Sequence, residues 1–230
     1  MSAIAVAPHD PALEERSHRL RGLGLILLVT SAAPLLLALE QWLGPRASRG
    51  GALEASSVSL VDIADTAPLV ALLAYILFRQ GRAMRQLGVT ARWSDLASGF
   101  AMGVVMLLPY AGADLVRKGS VGRWATSAAS LDGISMMLVL SLLAFAIRCG
   151  LVLCAYVITE VQALTGSAVL AVAASAALQQ LSRYSLSAPT AMAVLCGCLF
   201  YWKTRRATPV ILGIVASGLW VLLHTPHAGS

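Results

Sequence analysis

Leu131-Asp-Gly-Ile-Ser-Met-Met-Leu-Val-Leu-Ser-Leu-Leu-Ala-Phe-Ala-Ile-Arg-Cys-Gly-Leu-Val-Leu-Cys-Ala-Tyr-Val-Ile-Thr-Glu-Val-Gln-Ala163 is an apolar run broken only by the charges of Asp132, Arg148 and Glu160. Wound as an α-helix at about 1.5 Å per residue, it is about 50 Å long. A bilayer's hydrocarbon core is about 30 Å thick and needs roughly 20 helical residues. The run therefore predicts a membrane-spanning helix that either projects from the bilayer or breaks along its length.

The rest of the chain follows the same pattern. Of 230 residues 58% are hydrophobic and 12% charged, with a mean hydropathy of +0.77, so there is too little polar surface to cover a globule in water. A soluble enzyme, a nucleic-acid-binding domain and a disordered tail are excluded together. Further apolar segments lie at 22–43, 58–78, 94–113, 167–182, 188–202 and 208–224, giving about seven transmembrane helices. The first is too long for the apolar part of a signal peptide and ends in Glu40-Gln41-Trp42, so it reads as a retained span. The expected fold is all-α, a polytopic membrane helix bundle. Residues 1–21 form a polar cytoplasmic segment, 22–224 a single transmembrane domain and 225–230 a tail.

The net charge of +6 reports orientation rather than a nucleic-acid partner. With the N-terminus inside, the cytoplasmic side holds Arg16, Arg19, Arg21, Arg79, Arg82, Arg85, Arg92, Lys203, Arg205 and Arg206. The outer loops hold only Arg46, Arg49, Arg117, Lys118, Arg123 and Arg183. This imbalance predicts an N-in, C-out protein, and the Arg, Ala, Leu and Gly usage suggests the cytoplasmic membrane of a bacterium. Cys149, Cys154, Cys196 and Cys198 sit in apolar blocks without zinc-like spacing and read first as small buried hydrophobes.

Two motifs invite over-reading. Glu14-Glu15-Arg16-Ser17-His18-Arg19 satisfies a Glu-Glu-x-x-x-Arg pattern, yet it precedes every apolar segment and reads as a solvated leader. Gly99-Phe-Ala-Met-Gly103 is a G-x-x-x-G that lets helices approach closely, and packing within the chain is the first reading.

The second half carries a more specific pattern. It combines Cys149-Gly-Leu-Val-Leu-Cys-Ala-Tyr-Val-Ile-Thr-Glu160, the small-residue helix ending Ala177-Leu-Gln-Gln-Leu-Ser-Arg183, and Gly197-Cys-Leu-Phe-Tyr-Trp-Lys-Thr-Arg-Arg-Ala-Thr-Pro-Val-Ile-Leu-Gly213. Together with Leu87-Gly-Val-Thr-Ala-Arg-Trp-Ser-Asp-Leu96, this resembles the CPBP family, the CAAX protease and bacteriocin-processing intramembrane proteases, over roughly residues 87–221. Active members carry Glu-Glu-x-x-x-Arg, Phe-x-x-x-His and His-x-x-x-Asn. The resemblance places the paired glutamates on Cys149 and Gly150, the arginine on Cys154, the phenylalanine on Gln179, the first histidine on Arg183, the second on Ile214 and the asparagine on Gly218. Every position is changed.

A count that needs no alignment agrees: from Gly133 through Leu223 there is one acid, Glu160, and no histidine. Hydrolysis by this family's route needs a carboxylate to take a proton from water and imidazoles to hold that water. The resemblance thus implies a bundle whose protease site is erased, with no catalytic residue, metal or cofactor.

Arg148 is a costly charge in an apolar helix, either reaching the headgroups by its long stem or pairing inside. Tyr156 and Glu160 share a helical face, as do Gln179 and Arg183, and line a polar remnant of the cleft or sit near the interfaces. Gly213 and Ser217 join Arg148, Tyr156 and Glu160 as candidates for a cleft that takes a partner's helix. Asp62 or Asp65 is expected to pair with Arg183 near the outer face. Two functions follow. In the first, a catalytically inactive protein works in the lipid bilayer as accessory subunit, scaffold or assembly factor for another membrane protein. In the second, it is an active intramembrane peptidase with unusual residues, most plausibly Cys149 with Arg148 and Glu160. A transporter is weaker, for no repeated pair of broken helices is visible.

Overall fold

The computed structural model describes residues 11–43, 55–120, 136–182 and 187–224. Among these residues the protein is all-α, with seven helices and no strand. They are α1 (Pro11–Leu43), α2 (Ala55–Arg79), α3 (Trp93–Lys118), α4 (Met136–Thr165), α5 (Ala168–Ser182), α6 (Ala188–Thr204) and α7 (Ala207–His224), with one 3-10 turn at Met84–Leu87. The starts of α1, α3 and α7 meet the ends of α2, α4 and α6 at one pole: Arg19 and Arg82 contact Glu160, Arg206 contacts Asp95, and Arg205 contacts Gln162. Successive helices therefore alternate in direction.

Helices α3 (Trp93–Arg117) and α4 are long and apolar enough to cross a membrane. In α3 only 22% of the apolar window is buried, and Phe100, Val104 and Leu108, one turn apart, are all exposed. That face has no water-compatible covering.

Two helices differ from expectation. α1 starts at Pro11, not at Gly22, because the leader's charges support a helix. Arg19 bonds Glu15 one turn earlier, and its guanidinium reaches Glu160 of α4 at 3.5 Å. The fourth helix, expected to project from the bilayer or to break, instead changes its winding along its length. Met136–Ile147 and Val157–Thr165 are α-helical, while Arg148–Tyr156 between them is π-helical and buried at every residue. Such wider turns are rare and often mark functional sites. Here Gly150 lets α7 cross closely, since a Cβ would stand 2.5 Å from Ile211 Cγ1.

The G-x-x-x-G packs within the chain, as expected. Gly99 faces Leu212 and Gly103 faces Ala216 of α7, while Gly213 answers from α7 by lying against Met102 and the Gly103 amide. The lower end of this α3–α7 seam is hydrogen-bonded. Gly88 accepts from the Ala207 amide at 3.0 Å, and Thr208 Oγ1 both accepts from Thr90 N at 2.9 Å and donates to Thr90 O at 2.8 Å. Asp95 Oδ2 accepts from the Arg92 amide and the Thr90 hydroxyl, while Oδ1 binds Arg206. The segment 87–96 is thus the joint that ties α3 to α7.

Arg183 and the side chains of Asp62 and Asp65, on which the expected outer ion pair rests, lie outside the described residues.

Candidate functional site

A cavity of about 580 Å³ lies between α3, α4, α6 and α7, with one contribution from α5; α4 lines it mainly from its α-helical part, through Leu138, Ser141, Leu142 and Phe145, and from the π-helical stretch through Cys154 alone. Cys154 of α4, Gln179 of α5 and Ile214 and Gly218 of α7 line it, as does Ser217. Four of the seven positions that the family resemblance singles out thus converge on one space. Ile214, Ser217, Gly218 and Val221 share one face of α7 at i, i+3, i+4 and i+7, whereas Leu212, Gly213 and Ala216 form the face that packs on α3. Gly213 is therefore a packing glycine and not part of the cleft. Cys149 is buried away from the cavity lining, and Gly150 is taken up by the contact with Ile211. Arg183 lies outside the described residues.

Among the described residues that line the cavity, none is Asp, Glu, His, Lys or Arg. Its polar atoms come from thiols, hydroxyls and one amide. Tyr110 bonds Thr190 at 3.1 Å across the α3–α6 wall, and Ser175 donates to the Leu153 carbonyl at 2.7 Å. Gln179 Nε2 lies 3.4 Å from both Ser175 Oγ and Cys198 Sγ, and Ser175 Oγ is 3.2 Å from Cys198 Sγ. No group of this set takes a proton from water near neutrality. Cys198, which reads from sequence as a buried hydrophobe, is here the sulfur with the most polar neighbours. Nothing in the sequence signals this, because the contact depends on α5 lying across α6.

Arg148 is buried at 8% exposure, its guanidinium 5.6 Å from the centre of the Phe145 ring, a cation-π distance. It therefore packs inside the bundle and does not reach outward to the headgroups. Its neighbour Phe145 lines the cavity, whereas Arg148 does not.

Tyr156 and Glu160 form a separate cluster at the basic pole and do not line the cavity. Glu160 is fully buried, held by Arg82 directly and by Arg19 at 3.5 Å. The Arg19 guanidinium holds the exposed Glu15 carboxyl below the ordinary range, and the bond to Glu15 pushes Arg19 upward in turn. Arg19 and Arg82 were not legible as partners, although a lone acid in so apolar a stretch must find a cation when buried. The combination of Cys149 with Arg148 and Glu160 is not assembled: Glu160 faces α1 and the chain after α2, and Cys149 is enclosed by the core.

The Tyr156 hydroxyl is buried against Gly22, where an added Cβ would stand 2.7 Å away, and it finds no hydrogen-bond partner among the described residues. Tyr156→Phe is therefore expected to be neutral or stabilising, within about 1 kcal/mol, because it removes an unsatisfied group without removing a bond. Thermal unfolding in detergent checks this, and a loss of several degrees would show that the hydroxyl is bonded.

No protein-family model, curated protein or solved structure matches the chain.

Proposed function

We propose that this protein is a multi-pass component of a bacterial cytoplasmic membrane, built on a CPBP-like bundle whose protease site is erased. It acts as an accessory subunit or assembly factor that docks a transmembrane helix of another membrane protein. The observation that carries the reading is the cavity. It lies where the family resemblance directs attention, and Cys154, Gln179, Ile214 and Gly218 give it a lining that takes side chains and performs no proton transfer. Its size suits a few inserted side chains of a helix lying across the mouth. The gathering of Arg19, Arg82, Arg205 and Arg206 at one pole supports an N-in orientation. The broad apolar face of α3 supports lipid as its surroundings.

Purification from native membranes in mild detergent is expected to bring down a stoichiometric membrane partner. Gly218→Leu should release it: an added Cβ first meets the Leu142 side chain, whose Cδ1 stands 2.4 Å away and can turn aside, and the rest of the new side chain occupies the cavity that Gly218 lines. Gly24→Leu, placed in open space on α1, should keep it. Recovery of the protein alone, with no recurring neighbour on crosslinking, contradicts the proposal.

A further inference from the structure

The outer side of the basic pole carries charge that the bundle does not use. Arg19 and Arg82 are taken up by Glu160, and Arg206 by Asp95. Arg92, Lys203 and Arg205 are exposed, and none of them forms an ion pair with a described residue. Arg205 donates instead to the uncharged side chain of Gln162. The three share one corner. Gly88 lies against the Arg205 carbonyl, and Arg206 donates to Ser94 Oγ at 3.1 Å, so the turn between α6 and α7 sits beside the start of α3. Arg92, Lys203, Arg205 and Arg206 thus meet Asp95 alone among the described acids, and the corner keeps an excess of positive charge.

Two tryptophans set the depth of this corner. Trp93 follows Arg92 and is 88% exposed, and Trp202 precedes Lys203 and is exposed too. From Trp93 the face of α3 continues through the exposed Leu96, Phe100, Val104 and Leu108 to Val116, and Leu96 to Val116 measures about 30 Å along the helix. That is the thickness of a bilayer's hydrocarbon core, about 30 Å. On α6 the exposed Leu195 and Leu199 lead in the same way to Trp202, and the Tyr110–Thr190 bond holds the two helices side by side. Each apolar stripe therefore ends in an indole and then a cation, which is the order of hydrocarbon, interface and headgroup on leaving a bilayer. An acidic protein segment matches the charge but does not account for the exposed indoles between the charge and the stripes.

We propose that this corner binds an anionic phospholipid of the leaflet at the basic pole. Arg92, Lys203 and Arg205 receive the headgroup, whose phosphate oxygens accept from their N–H groups. Trp93 and Trp202 flank the glycerol region, and an acyl chain lies along Leu96, Phe100 and Val104 of α3. A zwitterionic lipid offers the same chains and the same phosphate without net charge, so the selectivity comes from the three cations. The inference rests on the immersion of the bundle in a bilayer and is independent of the docking of a partner.

The test places the full chain in nanodiscs that mix phosphatidylglycerol with phosphatidylcholine, one of the two brominated in its acyl chains, and reads their relative affinity from the quenching of tryptophan fluorescence. Phosphatidylglycerol should be preferred. A cation at an anionic membrane surface contributes a factor of about five, so Arg92→Gln with Lys203→Gln should lower the preference by about tenfold or more. Arg16→Gln removes another exposed cation, about 9 Å before Gly22 along α1, and should change the preference by less than about twofold. If the substituted chains do not fold, the wild-type chain decides by salt: about 1 M salt shortens the screening length to about 3 Å and should abolish most of the preference. Equal quenching by the two lipids, a preference that survives salt, or equal losses for Arg16→Gln and the double variant overturns the proposal. Loss of a co-purifying protein from the double variant with its lipid preference intact overturns it in favour of an acidic partner. A chain that enters no bilayer overturns the immersion and this inference together, whereas one that enters without lipid preference overturns this inference alone.

Discussion

Replacing Arg82 by Ala is expected to cost about 3–5 kcal/mol of stability, because it breaks a buried ion pair from one side. Glu160 is 0% exposed, and Arg82, itself 16% exposed, is its direct partner. The remaining cation, Arg19, stands 3.5 Å away and shares its charge with Glu15. Without Arg82 the carboxylate stays in a low-dielectric site with one distant partner. The bulk of the cost is the desolvation of that stranded charge, so it falls when the charge goes too. The double variant Arg82→Ala, Glu160→Gln should recover most of the loss, and Arg19→Ala alone should cost less than Arg82→Ala. Unfolding midpoints in one detergent decide the matter. Equal losses for the Arg82→Ala single and double variants would show that Arg82 acts through its own packing and not through the pair.

Gly88→Ala is expected to be comparably damaging for a backbone reason. Gly88 has φ +76°, where an L side chain is strained by about 1–2 kcal/mol. A Cβ there would also stand 2.0 Å from the Arg205 carbonyl oxygen and 2.7 Å from Arg206 Cα, and backbone atoms cannot swing aside. The start of α7 must shift, and with it the bond from Ala207 N to Gly88 O and the contact of Arg206 with Asp95. Gly81 offers an internal control, for it has φ +65° and nothing within 4 Å of its added Cβ. Gly81→Ala should show only the conformational strain, and Gly88→Ala should lose several times as much. If the two unfold alike, the joint between residue 88 and α7 does not carry the α3–α7 packing.

Helix positions were legible because apolar blocks alternate with short polar breaks, and α2 to α7 fall close to the expected segments. The start of α1 was not, since the mixed charges from Glu14 to Arg19 read equally as a solvated coil, and only the distant Glu160 makes Arg19 a helix-fixing residue. The π-helical winding of Arg148–Tyr156 follows from what packs on all sides of it, and no local signal encodes it. Within the site, the α7 face of Ile214, Ser217, Gly218 and Val221 is readable from helical spacing. The opposite assignment of Gly213 comes from the neighbouring α3, whose Gly103 admits it. The polar setting of Cys198 depends on α5 lying against α6 at Ser175, a contact between residues 23 apart in the chain.

The central claim, that this cavity receives a partner's helix, is tested most directly by a photo-crosslinking amino acid placed at Ser217 in the native membrane. The expected result is one recurring protein adduct at Ser217, absent when the same probe is placed at the exposed Phe100 of α3 and lost in the Gly218→Leu background. Adducts with lipid alone at Ser217, or the same adducts from Ser217 and Phe100, would contradict it.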